Sequence, residues 1–156
     1  MDDSLALRKA IRLAAAHSAS GHNGPFGAVV TRGDDVVAEG WNQVVELHDP
    51  TAHAEVMAIR AACARLATHD LSDCVLYTSC EPCPLCLAAA YWAHIPKVVY
   101  AAGREDAAAA GFDDADVYGE LAREWAHRKV QSVQLLQEQG RRVLQAWSDN
   151  VNKISY

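Results

Sequence analysis

Apolar residues recur along the chain first at helical spacing, then at strand spacing, and then in runs that alternate between the two. Leu5, Ile11, Leu13 and Ala14 mark one side of a segment whose Arg8, Lys9 and Arg12 lie on the other. Asp3 or Ser4 is placed to cap it and Ser20-Gly21 to end it. Phe26 to Thr31 and Val36 to Val45 are β-rich runs joined by Gly33-Asp34-Asp35, the composition of a hairpin turn. Pro50-Thr51 leads into a helix from Ala52 to Leu66, and Asp73 to Thr78 reads as a buried strand. A helix from Pro84 to His94 stops before Pro96, and Lys97 to Ala102 follows as a strand. The pattern then predicts a helix over Ala115 to Trp125, a fifth strand over Val130 to Leu136 and a closing helix over Gln139 to Asn152. A hairpin followed by alternating helices and strands predicts an α/β fold, a three-layer α/β/α sandwich around a five-stranded mixed sheet.

At 156 residues and 51% hydrophobic, the chain fits one compact domain, residues 1–156, with no internal repeat and no linker. The low-complexity run Ala107 to Ala110 reads as a helical turn on the surface. Met1-Asp2-Asp3-Ser4 lacks the basic flank of a targeting segment, and the longest apolar stretch, Leu85 to Ala93, is about half of what a membrane span needs. A soluble, cytoplasmic protein without a membrane partner is expected. A formal charge of −6 disfavours a nucleic-acid partner held mainly by phosphate contacts, although the tail from Glu120 to Tyr156 is mildly basic. Charge is better matched by a small neutral substrate.

Cysteine usage changes the picture more. The count of five is odd, and Cys80, Cys83 and Cys86 fall at two-residue gaps, which points to metal chemistry in a reducing compartment rather than to a disulfide framework. His53-Ala54-Glu55 and Pro82-Cys83-Pro84-Leu85-Cys86 together offer one imidazole, two thiols and one spare carboxylate. Zinc takes nitrogen and sulfur ligands in a tetrahedron, and three protein ligands leave the fourth position open for water. His53, Cys83 and Cys86 are the candidate ligands, and Glu55 the candidate proton carrier.

Local geometry constrains this reading. Cys83 and Cys86 open a helix introduced by Pro82 and Pro84, where free amides and the helix dipole favour thiolate. Residues two apart on a regular helix do not face each other, so His53 and Glu55 share a site only at a frayed first turn. The expected arrangement is two helix N-termini meeting across adjacent strands. Taken alone, a Cys-x-x-Cys pair reads as readily as a redox or structural zinc motif as it does as part of a catalytic site. His-x-Glu followed by Pro-Cys-x-x-Cys is instead the signature of zinc-dependent nucleobase deaminases. Cys80 is placed at the strand end as a neighbour rather than a ligand, and Cys63 and Cys74 read as small buried hydrophobes.

These residues resemble the cytidine deaminase superfamily nearly end to end. The resemblance includes Gly24-Pro25-Phe26-Gly27-Ala28, Asp49 to Glu55 and Thr78 to Pro84. Ala90-Tyr91-Trp92-Ala93, the run Asp106 to Asp114, and the ending Gln145-Ala146-Trp147 with Tyr156 resemble the bacterial guanine deaminases within it. That resemblance implies hydrolysis of guanine to xanthine and ammonia with one zinc ion per subunit. It further implies that Asn42 bonds the purine, that Phe26 and Trp92 wall the pocket, and that Asp114 accepts N–H from the guanine edge. Backbone N–H groups near Ala54 and Cys83 would hold the base in register. A homodimer is implied, with the C-terminal segment exchanged so that Tyr156 completes the partner's pocket. On the residues alone, Asp114 is an acid in an Asp-rich loop and Tyr156 a free terminus. The alternatives are a deaminase of guanosine, cytosine or tRNA adenosine on the same fold, and a non-catalytic zinc-binding interaction module.

Overall fold

A computed structural model of the chain describes residues 2–112 and 114–155. The chain divides into two compact units, Met1–Ala115 and Asp116–Tyr156. In the first, helix α1 (Asp3–Ser18) precedes the hairpin β1 (Gly27–Arg32) and β2 (Asp35–Trp41), a short helix α2 (Val44–Leu47) and the long helix α3 (Ala54–Leu66). Strand β3 (Cys74–Cys80), helix α4 (Pro84–Trp92), strand β4 (Lys97–Ala102) and helix α5 (Arg104–Ala109) complete it. The cap of α1 is Asp2, one residue before the expected position, with its carboxylate accepting from the Ser4 N–H at 3.0 Å.

The sheet runs β2-β1-β3-β4, antiparallel across the first three strands and parallel from β3 to β4. Strand alternation sends successive residues to opposite faces, and each face meets its own helices. Ala28, Val30 and Leu76 pack with Ala58 and Ala62 of α3 and Ala90 of α4. Val29 and Tyr77 pack with Ala6 and Ala10 of α1 on the other face. Alanines on the helices let them approach closely, and two glycines remove the last obstruction. A Cβ on Gly40 would lie 2.3 Å from the Ala54 carbonyl of α3, and one on Gly27 would lie 2.3 Å from the Ala10 carbonyl of α1. Strand β2 thereby sets where α3 begins.

Two expectations are corrected. The sheet has four strands among the described residues, not five: Val130 to Leu136 is irregular, with Val133 79% and Leu136 71% exposed. A β-rich run becomes a strand only beside a ladder partner, and from residue 115 on the described residues form only helical elements, α6 (Ala115–Ala122), a 3₁₀ turn (Trp125–His127) and α7 (Gln137–Asp149). Strand β2 also stops at Trp41 instead of reaching Val45. There the Asn42 N–H turns back to the Phe26 carbonyl, the Gln43 N–H reaches the Ala52 carbonyl, and Val44–Leu47 winds into a helical turn that ends at His48 with φ 51°.

Candidate active site and metal centre

The two motifs meet at two helix starts. His53 is the N-cap of α3 and Cys83 the N-cap of α4, both with extended backbone, so Glu55 and Cys86 fall in the first turns. This resolves the two-residue spacing of His53 and Glu55: the chain bends between them, and both face inward. Strand β1 lies between β2 and β3, so α3 and α4 follow strands that are not neighbours, contrary to expectation.

His53 Nδ1 lies 3.4 Å from both Cys83 Sγ and Cys86 Sγ, and the two sulfurs are 3.6 Å apart. Metal–sulfur bonds of ~2.3 Å and a metal–nitrogen bond of ~2.0 Å at the tetrahedral angle need edges of about 3.5–3.8 Å. The triangle fits zinc with little movement. It is the one group of three such donors among the described residues. Hydrogen bonding between the two cysteines and the nearby His53 pull the Cys83 thiol down to about 4 despite burial. Its hydrogen bond with Cys83, together with burial, pushes the Cys86 thiol up, which leaves Cys83 the readier of the two to be a thiolate. His53 is raised, first by its Cys83 contact, with the Pro50 backbone acting in the same sense.

Glu55 is buried. Its Oε1 accepts from Thr78 Oγ1 at 3.3 Å and its Oε2 from Cys86 Sγ at 3.3 Å. Burial raises its carboxyl, the direction a proton carrier working near neutrality needs. Thr78 was not singled out from sequence, and only its place in the run leading to Cys80 hinted at it. Cys80, 6% exposed, points its Sγ to the Gly103 carbonyl at 3.7 Å and stands outside the donor triangle. Cys80→Ser is therefore expected to keep bound zinc through dialysis against a weak chelator, whereas Cys83→Ser loses it. Metal analysis of the dialysed proteins measures both.

The remaining candidates spread around this centre. Ala54 is fully buried, and as the first residue of α3 its N–H lies outside the helical ladder. Asn42 Oδ1 accepts from the Gly24 and Val44 N–H groups, each at 3.3 Å, which orients the amide so that its NH₂ is the end left for a ligand. Phe26 is joined to Asn42 through the backbone at 3.0 Å and meets Phe112 edge to face at 4.9 Å. Phe112 was not a sequence candidate. Asp114 Oδ1 is buried without a hydrogen-bond partner among the described residues. Burial raises this carboxyl, the Cys83 thiolate acts in the same sense, and Arg104 opposes them. Trp92, at the end of α4, is 69% exposed. Tyr156 lies outside the described residues.

Residues 1–102 match the family model of the cytidine and deoxycytidylate deaminase zinc-binding region. Guanine deaminase of Bacillus subtilis (strain 168) is 47% identical over 150 residues, 96% of each chain. The X-ray structure of guanine deaminase from Bacillus subtilis superposes with a TM-score of 0.96 at 46% identity, covering 100% of this chain and 99% of that one. The structure of NE0047 in complex with 2,6-diaminopurine gives a TM-score of 0.68 at 32% identity, over 99% of this chain and 85% of that one. The tRNA-specific adenosine deaminase of Aquifex aeolicus is 44% identical, but over 50% of this chain and 52% of its own. The donor triangle, the buried glutamate beside it and the mixed sheet beneath them place this chain in the cytidine and deoxycytidylate deaminase zinc-binding family.

Proposed function

We propose that this protein hydrolyses guanine to xanthine and ammonia, with one zinc ion per subunit held by His53, Cys83 and Cys86. The family match ends at residue 102 and marks the reaction. The similarity to a guanine deaminase continues over 96% of the chain, and so into the segment that carries Asp114. That extension is the observation favouring guanine over the other bases.

Zinc, when bound, would supply Lewis-acid activation of water at neutral pH. Glu55 does the proton work. Its carboxylate takes a proton from the attacking water and delivers it to the ring nitrogen beside the amino-bearing C2. As that nitrogen is protonated the water oxygen bonds to C2; Glu55 then takes the remaining hydroxyl proton and passes it to the amino group, so the C2 carbonyl forms as the C2–N bond breaks and ammonia leaves. Thr78 holds Oε1, which leaves the other carboxylate oxygen directed toward the donor triangle. Asn42 donates to the base through its NH₂, and Phe26 offers it an apolar wall, with Trp92 the second wall residue. Backbone N–H groups near Ala54 and Cys83, at the two helix starts, add fixed donors. Asp114 accepts guanine N–H, an assignment supported by its buried Oδ1, which has no hydrogen-bond partner among the described residues.

Asp114→Asn keeps the shape and removes the charge. A hydrogen bond to a charged acceptor contributes about 1.5–3 kcal/mol. Steady-state kinetics on guanine should show KM raised about 10- to 100-fold, with kcat within a few-fold of the parent.

No helix among the described residues is long and apolar enough to cross a membrane. We read the protein as a cytoplasmic enzyme of purine metabolism, where its thiolates stay reduced. We also read it as one catalytic domain that works as a homodimer with its C-terminal segment exchanged. On α7, Val143, Leu144 and Trp147 form an apolar stripe that is 48–72% exposed in the single chain, and Tyr156 would lie in the partner's pocket.

A further inference from the structure

Glu81 follows Cys80 in the loop that leads to the metal-binding cysteines, and Arg104 is the first residue of α5. Glu81 spends both carboxylate oxygens on that one residue: Oε1 accepts from Arg104 Nη2 at 2.7 Å and Oε2 from the Arg104 backbone N–H at 3.1 Å. The Glu81 N–H bonds the Ala102 carbonyl at 2.9 Å, so the end of β4 is pinned to the same loop. The helix that starts there is short and fixed at its far end. The Phe112 N–H returns to the Ala107 carbonyl at 2.9 Å and the Gly111 N–H to the Ala108 carbonyl at 3.0 Å, with Gly111 at φ +93°. This paired closure needs a left-handed residue, which glycine supplies without strain. It delivers Phe112 onto Phe26, and the chain reaches Asp114 two residues later.

We propose that the Glu81–Arg104 pair is a strut that holds the base-reading end of this segment, Phe112 and Asp114, in register with the metal-binding loop. Arg104 is thus a positioning residue for guanine recognition. The proposal deepens the guanine reading and rests on it. Arg104 works through Asp114, and not by touching the reacting atoms. Its side chain is 40% exposed and that of Glu81 24%, so solvent screens the ion pair, and what matters is the two-point geometry. Lysine keeps the charge and the backbone N–H contact but not the planar Nη2 donor that meets Oε1.

Arg104→Ala, Arg104→Lys, Asp114→Asn and the Arg104→Ala/Asp114→Asn double variant should be assayed on guanine beside the parent, with zinc content and thermal melting measured for each. Arg104→Ala should raise KM about tenfold, with kcat within a few-fold and zinc retained, and Arg104→Lys should restore part of the loss. On the Asp114→Asn background the Arg104→Ala effect should largely vanish, because a residue that acts through another shows strong coupling to it. An unchanged KM in Arg104→Ala, or a full additional tenfold loss in the double variant, would overturn the strut while leaving the guanine reading intact. Absence of guanine turnover in the parent would overturn the guanine reading and the strut with it. If Arg104→Ala does not fold, Arg104→Lys alone carries the test through its coupling to Asp114→Asn.

Discussion

Replacing Glu55 with glutamine is expected to leave the fold and the bound zinc in place while lowering guanine turnover about 10²- to 10⁴-fold. The side chain is 6% exposed, and glutamine has nearly its volume, so packing is preserved. Thr78 Oγ1 can still donate to the retained carbonyl oxygen. What disappears is a group able to take a proton and return it twice in one turnover. That loss corresponds to about 3–5 kcal/mol of barrier, more than the substrate contacts are expected to contribute singly. Zinc analysis and circular dichroism on the same preparation separate this from metal loss or unfolding. Activity within a few-fold of the parent would remove Glu55 from the proton-transfer role.

The second large effect is structural and arises at Gly40. A methyl group there would sit 2.3 Å from the Ala54 carbonyl oxygen and 2.5 Å from the Ala58 nitrogen, both on the backbone of α3. Side chains can turn aside, but these atoms can clear only if the helix shifts. Overpacking typically costs 1–3 kcal/mol and a backbone obstruction more, so Gly40→Ala is expected to lose about 3 kcal/mol and about 10 °C in Tm. Because Ala54 lies between His53 and Glu55, the displaced helix should also weaken zinc binding. Gly27→Ala supplies the comparison. Its methyl would meet the Ala10 carbonyl at 2.3 Å and the Ala14 nitrogen at 2.6 Å, on the face of the sheet away from the donor triangle. That variant should lose stability but keep zinc affinity, and thermal melts with competitive zinc titration would measure both.

The grouping of His53, Glu55, Cys83 and Cys86 was legible in the sequence because it is written in residue types at short spacing. Cys83 and Cys86 share one turn and His53 and Glu55 one helix start, so each half could be read locally. Contacts across long separations left no such mark. Thr78 and Glu55 are 23 residues apart, as are Glu81 and Arg104, and nothing in the apolar pattern couples either pair. The two close glycine approaches were equally silent, since a glycine in a strand reads the same whether or not a helix presses on it. Val130 to Leu136 misled for a related reason: β-rich composition describes what a segment suits, and a ladder also requires a neighbour. Val44 and Val45 extended the apolar run of β2, yet Asn42 and Gln43 bend the chain before them. The order of strands escaped the pattern too, and with it the fact that β1 separates the strands preceding α3 and α4.

The most direct test of the central claim is ammonia release by the zinc-loaded protein from guanine, guanosine, adenine and cytosine, with Glu55→Ala as the blank. Release from guanine alone, matched mole for mole by xanthine and absent in the blank, is the expected result; release from another of the four in place of guanine, or from none of them, would contradict it.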